Sequence, residues 1–135
     1  MNLMERLLMN PCSLRSKLRK GERCIGPFCK LTDPACYEAL GLAGFDFAII
    51  DCEHGPISIE RAQDLVRACV LRGVAPLIRV PELSESWILR ALDIGAQGVH
   101  VPNVRSADDA QRVVEACYYR PRGMRGVCRY VRSSD

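Results

Sequence analysis

The sequence predicts an α/β fold in which four strand–helix units follow one another and build a parallel sheet with helices packed on it. Two observations carry this. Short apolar runs at 24–31, 45–51, 75–81 and 98–102 alternate with longer segments whose apolar residues recur every three or four positions. The runs begin roughly 21 to 30 residues apart, which fits strand–helix–strand crossovers and not hairpins. Right-handed crossovers then set the C-terminal ends of all four strands on one rim, where folds of this kind bind ligands.

Segment 13–21 places Arg15, Lys17, Arg19 and Lys20 around Leu14 and Leu18, a short amphipathic helix with one apolar edge. Run 24–31 is the first strand, although Pro27 has no N–H to give to a ladder. Asp33 followed by Pro34 supplies an N-cap and an N1 proline for a helix over 34–42, which ends near Gly41 and Gly44. The second run is continuous enough for a strand buried on both faces. Helix 58–72 turns Ile59, Ala62, Leu65, Val66, Cys69 and Val70 to one side and stops at Gly73. The third run holds Arg79 in its interior, and a charge on a core strand needs a purpose. Helix 84–94 points Ile88, Leu89 and Leu92 inward and closes at Gly95. The fourth run carries His100, read as a core or rim histidine. Ser106 and Asp109 then form a capping-box pattern for a helix whose apolar face is Ala110, Val113, Val114 and Cys117.

At 135 residues the chain suffices for one domain with a real core. Residues 1–12 read as an N-terminal extension, too weakly basic at the front for a secretory signal, ahead of a domain over 13–135. No run approaches the ~18 apolar residues of a membrane helix, so no membrane partner is expected. A net charge of +3 does not by itself imply nucleic acid. Eight cysteines are spread evenly without a CxxC pair or zinc spacing, which predicts reduced thiols in a cytoplasmic protein. Beyond residue 117, Arg120, Arg122, Arg125, Arg129 and Arg132 alternate with glycine, tyrosine and valine. That segment reads as a loop for an anionic ligand or as a solvated tail.

Chemistry concentrates where the second run ends. Phe45-Asp46-Phe47-Ala48-Ile49-Ile50 breaks into Asp51-Cys52-Glu53-His54-Gly55-Pro56, an apolar strand delivering two acids and an imidazole to a tight loop. Arg79 falls toward the same end of the adjacent run, so both groups are expected on the same rim.

With these residues laid out, the chain resembles the HpcH/HpaI aldolase family, the 2-dehydro-3-deoxyglucarate and 2,4-dihydroxyhept-2-ene-1,7-dioate aldolase group. The matching stretches are LRKGERCIG at 18–26, GFDFAIIDCEHGP at 44–56, PLIRVP at 76–81, LDIGAQGVHVP at 92–102 and PRGMRG at 121–126. One departure is Tyr119-Arg120-Pro121, where the family usually has Tyr-Pro-Pro. The resemblance implies a TIM (β/α)8 barrel, of which this chain would be the N-terminal half, since eight units need roughly 250 residues. It implies a cytoplasmic homo-oligomer that cleaves a 4-hydroxy-2-oxo acid, or a 2-keto-3-deoxy sugar acid, to pyruvate and an aldehyde through an enolate.

Carried over residue by residue, His54 matches the catalytic base, Arg79 the stabiliser of the enolate, and Asp93 an acid that raises the basicity of the histidine. Asp51 and Glu53 are supporting residues. On sequence geometry Asp93 precedes the fourth strand, on the rim opposite His54. It would therefore reach His54 from a neighbouring subunit, or Asp51 would partner the imidazole instead. The resemblance further implies Mg2+ or Mn2+, with metal ligands on later strands beyond residue 135 and none within this chain. Three other readings stand beside this one. They are a truncated half-barrel without activity, a lyase acting on acyl-CoA substrates such as citryl- or malyl-CoA, and a Schiff-base aldolase using Lys30.

Overall fold

A computed structural model describes residues 13–132. The expected extension over residues 1–12 lies outside the described residues. The elements run α1 (Ser13–Arg19), β1 (Phe28–Cys29), α2 (Pro34–Leu42), β2 (Phe47–Asp51), α3 (Ile59–Leu71), β3 (Ala75–Arg79), α4 (Glu85–Asp93), β4 (Gly98–His100) and α5 (Ala107–Cys117). The strands form one parallel sheet in the order β1-β2-β3-β4, as four successive βα units require.

Local chemistry sets the helix starts. Asp33 accepts a hydrogen bond from the Ala35 amide at 2.9 Å, and Pro34 occupies the first turn of α2. The hydroxyls of Ser58, Ser84 and Ser106 accept from the amides of Arg61, Trp87 and Asp109. The Asp109 carboxylate in turn accepts from the Ser106 amide, completing the capping box. Each such cap stabilises its helix by about 1 kcal/mol. The first strand is shorter than its apolar run because Pro27 has no N–H. The carbonyls of Ile25 and Pro27 still accept from Asp46 and Ile49, so the run lies along β2 without a full ladder.

Side chains alternate across the sheet. Cys29, Ala48, Ile50 and Ile78 turn to the helices and are buried. They meet Tyr37 of α2, Ala62, Leu65, Val66 and Cys69 of α3, and Ala91 of α4. Phe28, Ile49, Leu77 and Gly98 are successive Cα partners across the sheet and lie on its other face. Phe28 is 52% exposed there. That face is concave: the rings of Phe28 and His100 meet edge to face with centroids 5.5 Å apart, although β1 and β4 are separated by two strands. In a flat sheet those strands would stand about 14 Å apart, at ~4.8 Å per step.

Two helix faces differ from their sequence patterns, in the same sense. In α3, Ala68 is buried and Val70 is exposed. In α5, Ala116 is buried while Ala110 and Val114 are exposed. The buried stripe of each helix is rotated toward the preceding helix, since α3 packs on α2 and α5 on α4.

All seven cysteines among the described residues are free thiols. Among those residues no helix is long and apolar enough to cross a membrane. Tyr37 ties α2 to the end of β1: its buried hydroxyl donates to the carbonyl of Leu31 at 3.0 Å and lies 3.4 Å from that of Cys29. Tyr37→Phe is expected to lower the unfolding free energy by about 1 kcal/mol, the net worth of one such bond, with unchanged secondary structure. Urea titration of the two proteins checks it, and equal midpoints would remove this tie from the account.

Candidate active site

The register of the sheet assembles the site. Asp51 is the Cα partner of Arg79, and Arg79 is the partner of His100, so three strand ends carry these groups in one row at the C-terminal rim. Asp51 is fully buried. Arg79 grips it with two parallel bonds, Nε to Oδ1 at 2.9 Å and Nη2 to Oδ2 at 2.7 Å. Such a fork fixes the guanidinium in orientation as well as in place.

The same carboxylate folds the loop that follows β2. Its Oδ1 also accepts from the backbone amides of Glu53 at 3.1 Å and His54 at 3.0 Å. Gly55 then turns back over the Asp51 carbonyl, where a Cβ would fall 2.3 Å from that oxygen. A side chain at position 55 would push the loop away and carry His54 with it. Burial pushes the Asp51 carboxyl up, but the Arg79 guanidinium and the two amides outweigh it and hold the pKa at about 2. Asp51 in turn raises the pKa of Arg79. The pair is therefore ionised at any ordinary pH, a fixed cation on a buried support.

Glu53 joins this cation to the imidazole. One oxygen lies 3.3 Å from Arg79 Nε and the other 3.6 Å from His54 Nε2, while the His54 side chain is 61% exposed. The latter distance is too long for a hydrogen bond. Within this chain the two acids left open by the sequence lie in different places. Asp51 reaches the backbone amide of His54, Glu53 stands beside the ring, and Asp93 is elsewhere. Asp93 closes α4 and pairs with Arg125 at 2.5 Å, next to the starts of the strands. Arg125 is nearly buried and also stacks over Tyr119, with 4.8 Å from guanidinium to ring centroid. The PRGMRG turn at 121–126 therefore clamps the ends of α4 and α5, and Arg125 is committed to Asp93 rather than open to an anionic ligand. Lys30 is exposed.

One group escaped the sequence reading, and Glu53, expected there only as a supporting residue, stands between His54 and Arg79 in a position set by loop conformation. Phe28, from an uneventful apolar run, lies under the Arg79 guanidinium at 5.0 Å to its centroid and against His100.

A divalent ion finds no complete donor set here. Both Asp51 oxygens are taken by Arg79 and the loop amides, and the Glu53 carboxylate lies between Arg79 and His54. Among the described residues no three of His, Cys, Asp and Glu come together as a metal site.

Four parallel βα units with a buried acid, an arginine and an imidazole on the C-terminal rim define a barrel-type α/β protein with an ionisable rim cluster. The profile of the HpcH/HpaI aldolase/citrate lyase family matches residues 25–133, and the chain belongs to that family. It is 40% identical over 116 residues to a hydroxypyruvate/pyruvate aldolase of Roseobacter denitrificans, an alignment covering 85% of this chain and 45% of that protein. It is 40% identical over 124 residues to a 2-keto-3-deoxy-L-rhamnonate aldolase of Escherichia coli, covering 92% of this chain and 46% of the relative. The crystal structure of an HpcH/HpaI aldolase from Desulfitobacterium hafniense superposes with a TM-score of 0.81 at 34% identity, over 85% of this chain and 45% of that one. The chain spans about half the length of the curated relatives it matches. The structure is thus part of the family's barrel, as the sequence implied.

Proposed function

We propose that this chain carries the base and the enolate-stabilising cation of a 2-oxo-acid aldolase that yields pyruvate and an aldehyde. The observation that carries the proposal is Glu53, whose two oxygens face His54 and Arg79 on one rim. The names of the aldolase relatives support the same reading.

In the cleavage direction, His54 removes the proton from the C4 hydroxyl of a 4-hydroxy-2-oxo acid. The oxygen's electron pair forms the aldehyde carbonyl as the C3–C4 bond breaks, and the bonding pair moves through C3–C2 onto the C2 oxygen. Arg79, already oriented by Asp51, faces that developing charge with little reorganisation. The His54 imidazolium then returns its proton to C3, which completes pyruvate and restores the base. Glu53 stands beside both groups.

Dependence on Mg2+ or Mn2+ belongs to this proposal through the family resemblance. So does a homo-oligomer in which Asp93 of one copy approaches the site of another. The test is pyruvate release from a 4-hydroxy-2-oxo acid by the 135-residue chain with Mg2+, Mn2+ or Co2+ in turn. Release above the protein-free rate is expected, and none with any of the three ions would favour the inactive half-barrel instead.

A further inference from the structure

We infer that Phe28 is a positioning residue for Arg79, whose ring keeps the guanidinium from swinging on its fork as charge develops on the substrate. The inference rests on the reading of the site just given and adds a residue that acts through Arg79. Asp51 holds the guanidinium along one edge only, through Nε and Nη2. A grip along one edge works as a hinge, about which the far nitrogen, Nη1, is still free to swing. Among the described residues Nη1 donates no hydrogen bond, so it is the nitrogen left wholly for a substrate oxygen. The Phe28 ring lies under the group, 5.0 Å from Cζ to centroid. A ring face attracts a cation, so a swing away from it costs free energy.

The chemistry of a phenyl ring suits this task. A carboxylate or amide in its place would accept from Nη1 and take that donor out of use, whereas a π face attracts the charge and leaves every N–H free. Phe28 is also placed for it. Its Cα partner is Ile49 and the next in that row is Leu77, two residues before Arg79 on the same face, so the ring reaches diagonally across β2 to the end of β3. Its other contact is the His100 ring, edge to face at 5.5 Å, which brackets it between imidazole and guanidinium. Phe28 is half-exposed and stands outside the buried cluster under the helices, so its neighbours are the groups of the rim.

Phe28→Leu keeps an apolar side chain and removes the π face, and Phe28→Tyr keeps the face. Deuterium entry into the methyl group of pyruvate in D2O is measured against pyruvate concentration, with Mg2+ and the 135-residue chain. Phe28→Leu is expected to lower kcat about threefold to fivefold, the scale of a half-exposed cation–π contact. KM should stay within about twofold, as for an interaction that matters in the transition state, and Phe28→Tyr should restore kcat. The Arg79 Nε–H resonance of 15N-arginine-labelled protein, assigned by its loss in Arg79→Lys, reads the guanidinium directly. Its exchange with solvent is expected to quicken in Phe28→Leu and to match wild type in Phe28→Tyr. Equal kcat in wild type and Phe28→Leu, a loss carried by KM, a Phe28→Tyr as slow as Phe28→Leu, or an unchanged Nε–H would each overturn the role of Phe28 while the site reading stands. If wild type does not exceed the buffer rate, the site reading fails and this inference fails with it.

Discussion

Asp51→Ala is expected to destabilise the fold by about 3–5 kcal/mol, because removing one partner of a buried pair strands the other. Arg79 would lose both bonds of its fork, and the amides of Glu53 and His54 would lose the oxygen that folds their loop. Asp51→Asn keeps the shape and one acceptor and should fall between the two. The effect has a pH signature of defined sign. The Asp51 carboxyl is held at about 2 in the folded chain, below its ordinary value of 3.8. Its contribution is therefore complete above the ordinary value and is lost as the pH falls through the folded one. The amount is on the order of 2 kcal/mol for a depression of this size. Chemical denaturation of wild type and Asp51→Asn at pH 5 and near pH 2 isolates that part, since the other carboxylates titrate in both proteins. The gap between them should narrow in acid, and a gap independent of pH would show that the ion pair is not what stabilises this rim.

The second large effect is expected at the chemistry itself. His54→Ala should lower pyruvate release by about 10²–10⁴-fold, the usual contribution of a positioned base. His54 is exposed and its backbone amide, not its ring, binds Asp51, so the variant should retain the stability of wild type. Arg79→Lys should lower the rate by about 10²–10³-fold, as for loss of one oriented donor at a developing oxyanion. Lysine keeps the charge but cannot bond both oxygens of Asp51 at once, so its ammonium is not held toward the substrate. Equal rates for Arg79→Lys and wild type would mean that charge alone matters and that the fork is incidental.

Which parts of this were legible in the sequence follows from how local their causes are. The helix over Pro34–Leu42 could be read from Asp33 and Pro34, and the capping box from Ser106 and Asp109, because a cap and its amide lie within three residues. The parallel order of strands followed from the spacing of the apolar runs. Arg79 announced itself as a charge inside a strand, but its partner depended on the register that sets Asp51 opposite it. The burial of Ala68 in place of Val70 was hidden because neighbouring helices, and not the sheet alone, decide how far a stripe is rotated. Phe28 and His100 could not be connected from the chain at all. Their contact exists because the sheet curls, a property of the sum of strand twists. Glu53 was visible as a loop acid, yet its bridging position depends on two amides bonding to Asp51.

The central claim is that His54 and Arg79 act on one small molecule from one rim, and enolisation of pyruvate examines that without any aldehyde. Pyruvate is incubated in D2O with the 135-residue chain and Mn2+ or Mg2+, and deuterium entering its methyl group is followed by NMR. The account predicts exchange faster than in buffer with the same metal, abolished alike by His54→Ala and by Arg79→Met. Exchange at the buffer rate, or exchange that survives either substitution, would contradict it.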